Sequence, residues 1–374
     1  MMLLIVLWRG YRMIYNETRY NSHWNTKKLS ELGTFARGKS KHRPRDDERL
    51  YEGGGYPLIQ TGEVKAANLY ITSHEQEYGE FGLAQSKLWD AGTLCITIAA
   101  NIAETAILGY PMCFPDSVVG FSAFPSESSE KFMHYVFTYI RNSIQNSVTG
   151  SIQDNINIDY LSQLDFKVPP KSYQDKVVGV LGTIDEKIDT NTRICTELET
   201  MAKTLYDYWF TQFAEGKPYR SSGGEMVWND QLKRKIPKGW SAGQLSDIAN
   251  ITMGQSPSGD TYNENGSGTI FYQGCTDFGT RFPVPRVYTS APTRFAKAGD
   301  ILMSVRAPVG TLNIAMEDCC IGRGLAALNS KFGSQLHLLY TLSGFKQLFD
   351  VMDGNGTTFG SITKDTLFEM KVVI

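Results

Sequence analysis

The sequence predicts an α+β chain in which two similar strand-rich domains are joined by a long coiled-coil helix. Three observations carry this: the chain nearly repeats itself, a heptad stripe separates the copies, and each copy consists of short β-branched and aromatic runs broken by Gly and Pro. Trp24, Leu29-Ser30-Glu31-Leu32-Gly33 and Gly38-Lys39-Ser40 match Trp240, Leu245-Ser246-Asp247-Ile248-Ala249 and Gly254-Gln255-Ser256. Ala91-Gly92-Thr93-Leu94 matches Ala298-Gly299-Asp300-Ile301, and Ile156, Leu161 and Leu164 match Ile362, Leu367 and Met370. The separation shrinks from 216 residues to 206 along the copies, as a few short loop deletions would produce. A chain of 374 residues has room for two cores. Two similar domains imply two similar ligands presented at a fixed separation, which is a binding geometry before it is a catalytic one.

Taken in order, residues 1–23 form an N-terminal extension. Its first eight residues are apolar, but they lack a basic n-region and fall short of the roughly 20 residues of a membrane span. They read as a short buried strand, or as sequence upstream of a start nearer Met13. Residues 24–170 form the first domain, with runs such as Leu94-Cys-Ile-Thr-Ile98, and Pro169-Pro170 stops it. Ser172 and Asp175 are spaced as a capping box for the helix that follows.

In that helix, residues 171–214, apolar side chains recur at steps of four and three: Val177, Leu181, Ile184, Ile188, Cys195, Leu198, Ala202, Leu205 and Trp209, with Asn191 as the polar seam position. A continuous helix from Ser172 to Phe213 is roughly 60 Å long at 1.5 Å per residue. A lone stripe of this kind needs a partner helix. Residues 215–238 are a linker rich in Gly, Ser and charge, and residues 239–374 are the second domain.

Composition narrows the function. Lys+Arg 37 against Asp+Glu 39 gives a net charge of −2, so any DNA binding must rest on local basic patches or on a partner subunit. Six cysteines without metal-type spacing read as free thiols of a cytoplasmic protein. The histidines at 23, 42, 74, 134 and 337 suggest neither a metal site nor a catalytic triad.

Gly33-Thr-Phe-Ala-Arg-Gly38-Lys39-Ser40 satisfies the phosphate-cradling pattern GxxxxGK[ST], and a P-loop nucleotide-binding protein is the rival reading. The context opposes it: no buried apolar run precedes the segment, and the second copy keeps only Gly-x-Ser. Gly322-Arg-Gly-Leu-Ala-Ala327 resembles a dinucleotide loop but lacks a βαβ setting. Motifs for adenine methylation, S-adenosylmethionine binding or nuclease chemistry are not found, so the chain reads as non-catalytic, without metal or cofactor of its own.

Lys39, Lys41, Arg43 and Arg45 cluster after the first Gly-x-Ser turn, where they suit phosphates or guanine edges. In copy two Arg306-Ala-Pro-Val-Gly310 sits at a strand end where copy one has Ala99-Ala-Asn-Ile-Ala103. A turn that keeps its frame while its polar content changes suits two specificities. The candidate DNA contacts are Lys39, Ser40, Lys41, Arg43, Gln60, Thr61, Gln255, Ser256, Gln273, Arg306, Arg323, Thr357 and Thr358. The last two lie in a Gly-rich turn, residues 354–360, whose counterpart is residues 149–153. The candidate subunit interface is Val177, Leu181, Ile184, Ile188, Asn191, Leu198, Leu205 and Trp209.

Over residues 24–374 the chain resembles a type I restriction-modification specificity subunit. The resemblance rests on Gly239-Trp240, Leu245-Ser-Asp-Ile-Ala-Asn-Ile-Thr-Met-Gly-Gln-Ser256, Gly299-Asp-Ile-Leu302, Gln174, Ile184-Asp-Glu-Lys-Ile188, Trp209-Phe210 and Gly216-Lys-Pro-Tyr-Arg-Ser-Ser-Gly-Gly-Glu-Met-Val-Trp228. It implies two target-recognition domains, each reading one half of a split double-stranded DNA site. The helix would dock methyltransferase subunits that bind S-adenosylmethionine and methylate a flipped adenine. A restriction/motor subunit would join the same complex.

Such subunits usually carry a second long helix after the second domain. Here the sequence ends where a copy of Pro169-Pro170 would begin. The expectation is that the exposed stripe is covered in trans by a second specificity chain, a separate fragment or the methyltransferase. A truncated, inactive specificity subunit is the remaining alternative.

Overall fold

The computed structural model describes residues 16–149, 156–212, 224–354 and 361–374. The apolar residues 1–8 with Met13, the glycine-rich linker residues 216–223, the turn residues 150–153 and Thr357 and Thr358 lie outside them. The chain divides into two compact units, Met1–Cys195 and Thr196–Ile374.

In the first unit a five-stranded sheet has the order 33–37, 118–123, 94–97, 105–108, 70–71. Leu94–Thr97 and Thr105–Leu108 are buried on both faces, which explains their unbroken apolar and β-branched character. The helix Glu130–Thr149 covers one face, and Met133, Phe137 and Ile140 join Leu94, Ile96 and Phe121 in one core. A smaller four-stranded sheet orders 76–78, 56–58, 112–113 and 88–89. Between Phe114 and Trp89 the rings stack with centroids 4.9 Å apart. The short helix Leu29–Leu32 follows the strand Asn25–Lys28, which pairs antiparallel with Asp165–Val168. Asn16 extends this pairing, exchanging two 2.8 Å hydrogen bonds with the Lys167 backbone.

The second unit repeats the plan. Its main sheet orders 249–253, 325–330, 301–304, 312–314, and its second sheet orders 262–263, 288–289, 269–272, 319–321, 295–296. In each second sheet one parallel pair sits among antiparallel ones: Leu58 faces Cys113, and Phe271 faces Cys320. The helices Leu245–Ile248, Gln335–Gly354 and Lys364–Phe368 take the places of Leu29–Leu32, Glu130–Thr149 and Ile158–Gln163. The repeat read from the sequence is therefore a repeat of topology.

The long helix runs Lys171–Tyr206 and continues as a π-helical turn, Asp207–Thr211. The capping box does not form. The helix starts one residue before Ser172, and the Asp175 carboxylate takes the Lys171 ammonium. Gln174 does the anchoring instead: its Nε2 donates to the carbonyls of Glu127 (2.9 Å) and Pro169 (3.0 Å), and Ser128 donates to its Oε1. Within the first unit the helix docks through Gln174, Val178, Gly182 and Asp185, whose carboxylate accepts from the Tyr135 hydroxyl at 2.5 Å. The heptad stripe faces elsewhere. Leu181, Ile184, Ile188, Leu198, Leu205 and Trp209 are exposed, Leu198 to 58 %, and so is Asn191, while Val177 is half-buried. Within the second unit Glu199 pairs with Arg281, and Tyr206 packs on Tyr340 and His337.

All six cysteines are free, and burial pushes the Cys319 thiol up to about 12, which leaves it protonated and unreactive. No helix among the described residues is long and apolar enough to cross a membrane.

Candidate nucleic-acid interface

The two units present the same backbone frame. Gly38 N donates to Val118 O, as Gly254 N does to Leu325 O; Lys39 N to Phe114 O, as Gln255 N to Ile321 O; Ile98 N to Ser117 O, as Val305 N to Gly324 O. In the 97–105 and 304–312 turns Ala103 N bonds Thr97 O and Gly310 N bonds Ser304 O, while Thr97 and Ser304 hydroxyls accept the N–H of Glu104 and Thr311. These bonds set Ser40 opposite Ser256, Ala99 opposite Arg306, and Asp116 opposite Arg323. The facing of Leu58–Cys113 and Phe271–Cys320 likewise sets Gln60 opposite Gln273.

The shared turn explains the phosphate-loop resemblance. Residues 33–37 are a strand paired with 119–123, not a loop entering a helix. A Cβ at Gly38 would lie 2.3 Å from Pro115 O, and at Gly254 2.2 Å from Gly322 O, so both glycines permit a close backbone crossing. Gly322 and Gly324 are needed for the same reason: side chains there would meet Gln273 Cα at 2.9 Å and Gln273 O at 2.6 Å. Neither motif makes a nucleotide cradle, and the P-loop alternative has no support in this fold.

In the second unit, four expected contacts converge. Ser256, Gln273, Arg306 and Arg323 line one cleft of about 280 Å³ together with Gly274, Cys275, Thr276, Asp277 and Arg286. Gln273, Arg306 and Arg323 are exposed. Arg323 N donates to Ser256 Oγ at 3.2 Å, which ties the Gly-x-Ser turn to the Gly-Arg-Gly crossing. Arg306 and Arg323 make no ion pair among the described residues. Gln255 is exposed beside the cleft, and its carbonyl accepts the Thr293 hydroxyl. Sequence reasoning missed Arg286 and Asp277. They pair through Arg286 Nε and Asp277 Oδ1 at 2.8 Å, with Asp277 only 6 % exposed. No periodicity marks such a pair in an irregular segment.

The first unit fills the same frame differently. Asp116, at the place of Arg323, takes Arg45 at 2.6 Å and Arg43 at 3.8 Å, and its carbonyl accepts Arg37 Nε at 3.0 Å. Arg49 and His42 share Asp47, whose carboxyl they hold far below the usual carboxylate range. Lys39 and Lys41 are exposed and make no ion pair among the described residues. Ser40 is half-buried, and its carbonyl accepts from Arg43 Nη1. Gln60, exposed, precedes the helix Thr61–Ala66 and receives the Glu63 carboxylate on its backbone N–H at 3.0 Å. Thr61 is half-buried at the start of that helix. The basic loop is thus an ordered set of arginines steered by two acids.

Among the described residues no group of three or more His, Cys, Asp or Glu side chains is placed to hold a metal ion. The cleft of the second unit and the basic loop of the first offer charge and amide donors beside strand ends, which is chemistry for holding a polyanion with edges to read.

Comparison with known proteins agrees with this geometry. The family model of the type I restriction modification DNA specificity domain matches residues 21–200 and 237–374, one match per repeat. Among curated proteins, a putative type I restriction enzyme MjaX specificity subunit from Methanocaldococcus jannaschii is 34% identical over 243 residues, 63% of this chain and 53% of that one. The MjaIX specificity subunit of the same organism is 27% identical over 248 residues, 65% and 55% of the two chains. The chain spans about half the length of these relatives. Among solved structures, the type I restriction-modification system S subunit from M. genitalium aligns with TM-score 0.55 at 15% identity, over 97% of this chain and 87% of that one, a likeness of fold. With both repeats matched by one family model, the chain belongs to the type I restriction-modification DNA specificity family.

Proposed function

We propose that this chain is a non-catalytic DNA-specificity subunit in which each repeat reads one half of a bipartite site. The observation that carries the reading is the shared frame with unlike contents: equivalent turns present Asp116 with Arg43 and Arg45 in one unit, and Arg306 with Arg323 in the other. Two copies that share a frame and offer different polar groups on it suit two different half-sites. The net charge of −2 leaves phosphate neutralisation to these patches and to partners.

The partners in this reading are methyltransferase subunits, which supply S-adenosylmethionine chemistry on a flipped adenine, and a restriction/motor subunit. They work in the cytoplasm, where the DNA and the reduced thiols coexist. The exposed stripe of Leu181, Ile184, Ile188, Leu198 and Leu205 supports docking of a partner helix, from a methyltransferase subunit or from a second specificity chain in trans.

The test is co-expression with the neighbouring methyltransferase gene, followed by methylation-sensitive long-read sequencing. Two short specified blocks flanking an unspecified gap are expected. Methylation without any sequence preference would overturn the reading. A palindromic motif would mean that two chains each supply one domain.

A further inference from the structure

The cleft of the second unit contains one side chain that is aimed rather than merely charged. Arg286 is held through Nε by Asp277 Oδ1 at 2.8 Å, and that carboxylate is almost wholly buried. The carboxylate takes Nε and so restrains the guanidinium, and Arg286 lines the same cleft as Gln273, Arg306 and Arg323. An exposed second acid, Glu264, lies 4.0 Å from Nη1, a surface pair that holds the group only weakly. Arg306 and Arg323 are exposed and have no such carboxylate among the described residues.

The two kinds of arginine suit two kinds of acceptor. Phosphate oxygens accept donors over a wide range of directions, so an unanchored arginine serves them. A base edge demands a fixed plane. The Nη pair is a double donor, and in the major groove only guanine offers two adjacent acceptors, O6 and N7. Adenine places an N6 donor where the second Nη would point. A pre-anchored guanidinium also loses less freedom on binding than a loose one.

We propose that Arg286, positioned by Asp277, reads the O6/N7 edge of a guanine in the half-site of the second unit, with Arg306 and Arg323 on the flanking phosphates. This rests on the two-reader function above and names one of its base contacts. Asp277 is a positioning residue; Arg286 is the reader.

The test compares the full chain with Arg286→Ala, Asp277→Asn and Arg323→Ala, each co-expressed with the methyltransferase, reading the methylated motif of host DNA. With Arg286→Ala, one G·C position in one block is expected to relax, its discrimination falling by about one to two orders of magnitude, while every other position is retained. Asp277→Asn is expected to relax the same position. Arg323→Ala is expected to lower methylation at all sites alike and leave the motif intact. The proposal is overturned if Arg286→Ala keeps the wild-type motif, or lowers methylation uniformly as a phosphate contact would. Because Arg286→Ala leaves the buried Asp277 carboxylate without its partner, Arg286→Lys, which keeps the charge but not the fork, serves as the second variant and is expected to relax the same position. A wild-type motif without two blocks would instead defeat the two-reader function itself.

Discussion

The two repeats differ in charge at places where their backbone hydrogen bonds correspond. At the crossing after each Gly-x-Ser turn, the first unit carries Asp116 and the second Arg323, on hydrogen bonds that correspond one for one. In the first unit the acid gathers arginines from a separate loop; in the second the cleft holds arginines directly and only Arg286 has a carboxylate to steer it. The frame is conserved by backbone geometry, which a side chain cannot easily replace, whereas the payload hangs on exposed positions with little bearing on stability. That division lets one architecture serve two specificities.

The interiors diverge as well, in compensated pairs. His134 is buried in the first unit with its Nδ1 3.0 Å from Thr105 Oγ1. The helices align through Glu130 and Gln335, whose side chains accept from the strand-end N–H groups of Ala123 and Ser330. This sets His134 opposite Leu339 and Thr105 opposite Leu312, two members of one apolar cluster in the second unit. Similarly, Gly120 lies under the Trp89 ring, where a Cβ would come within 2.7 Å, while the second unit has Ala327 and Ala296 at these places. The first unit seats a large ring over glycine where the second has two small side chains.

The largest expected effect is one the units share. Gly38→Ala and Gly254→Ala each force a Cβ onto a backbone carbonyl, which cannot swing aside, and each should cost about 3 kcal/mol or more. Chemical denaturation checks this; a loss in only one unit would break the claim of a common frame. Next comes acid. Burial pushes His134 down to about 4, so it is neutral when folded and ionises near 6.5 when unfolded. Stability present above pH 6.5 is therefore lost as pH falls toward 4, by about 3 kcal/mol at most. His337 is half-buried and shifted the same way by burial, so the second unit is not wholly insensitive. Installing the second unit's solution, Thr105→Leu with His134→Leu, should flatten the first unit's share of a pH-dependent unfolding curve; an unchanged curve would show that His134 contributes nothing. Smaller still is the packing exchange. Gly120→Ala should destabilise by about 2 kcal/mol through the Trp89 ring, and Ala327→Gly by about 1 kcal/mol through lost contact and added chain freedom. Equal values from thermal unfolding would say the two volumes are not solved differently.

Much of this was legible because it is periodic or repeated. The duplication, the long helix and its apolar stripe follow from spacing alone, and Ser256 and Arg306 stand out because the turns that carry them recur. What was not legible depends on contacts between distant, aperiodic residues. The docking face of the helix, Gln174, Val178, Gly182 and Asp185, is largely polar or small and so leaves no hydrophobic signature. The capping box failed because Pro170 and Lys171 already start the helix. Asp277 with Arg286, and Asp116 with Arg43 and Arg45, are tertiary pairs that no spacing rule announces.

Gln60 and Gln273 offer the most direct test, since they are exposed equivalents at matching strand ends. The methylated motif should be determined for Gln60→Ala and Gln273→Ala, each in complex with the methyltransferase. Each variant is expected to alter one block of the motif, and the two variants to alter different blocks. Changes in the same block, or in both blocks from either variant, would contradict the account of two independent readers on one frame.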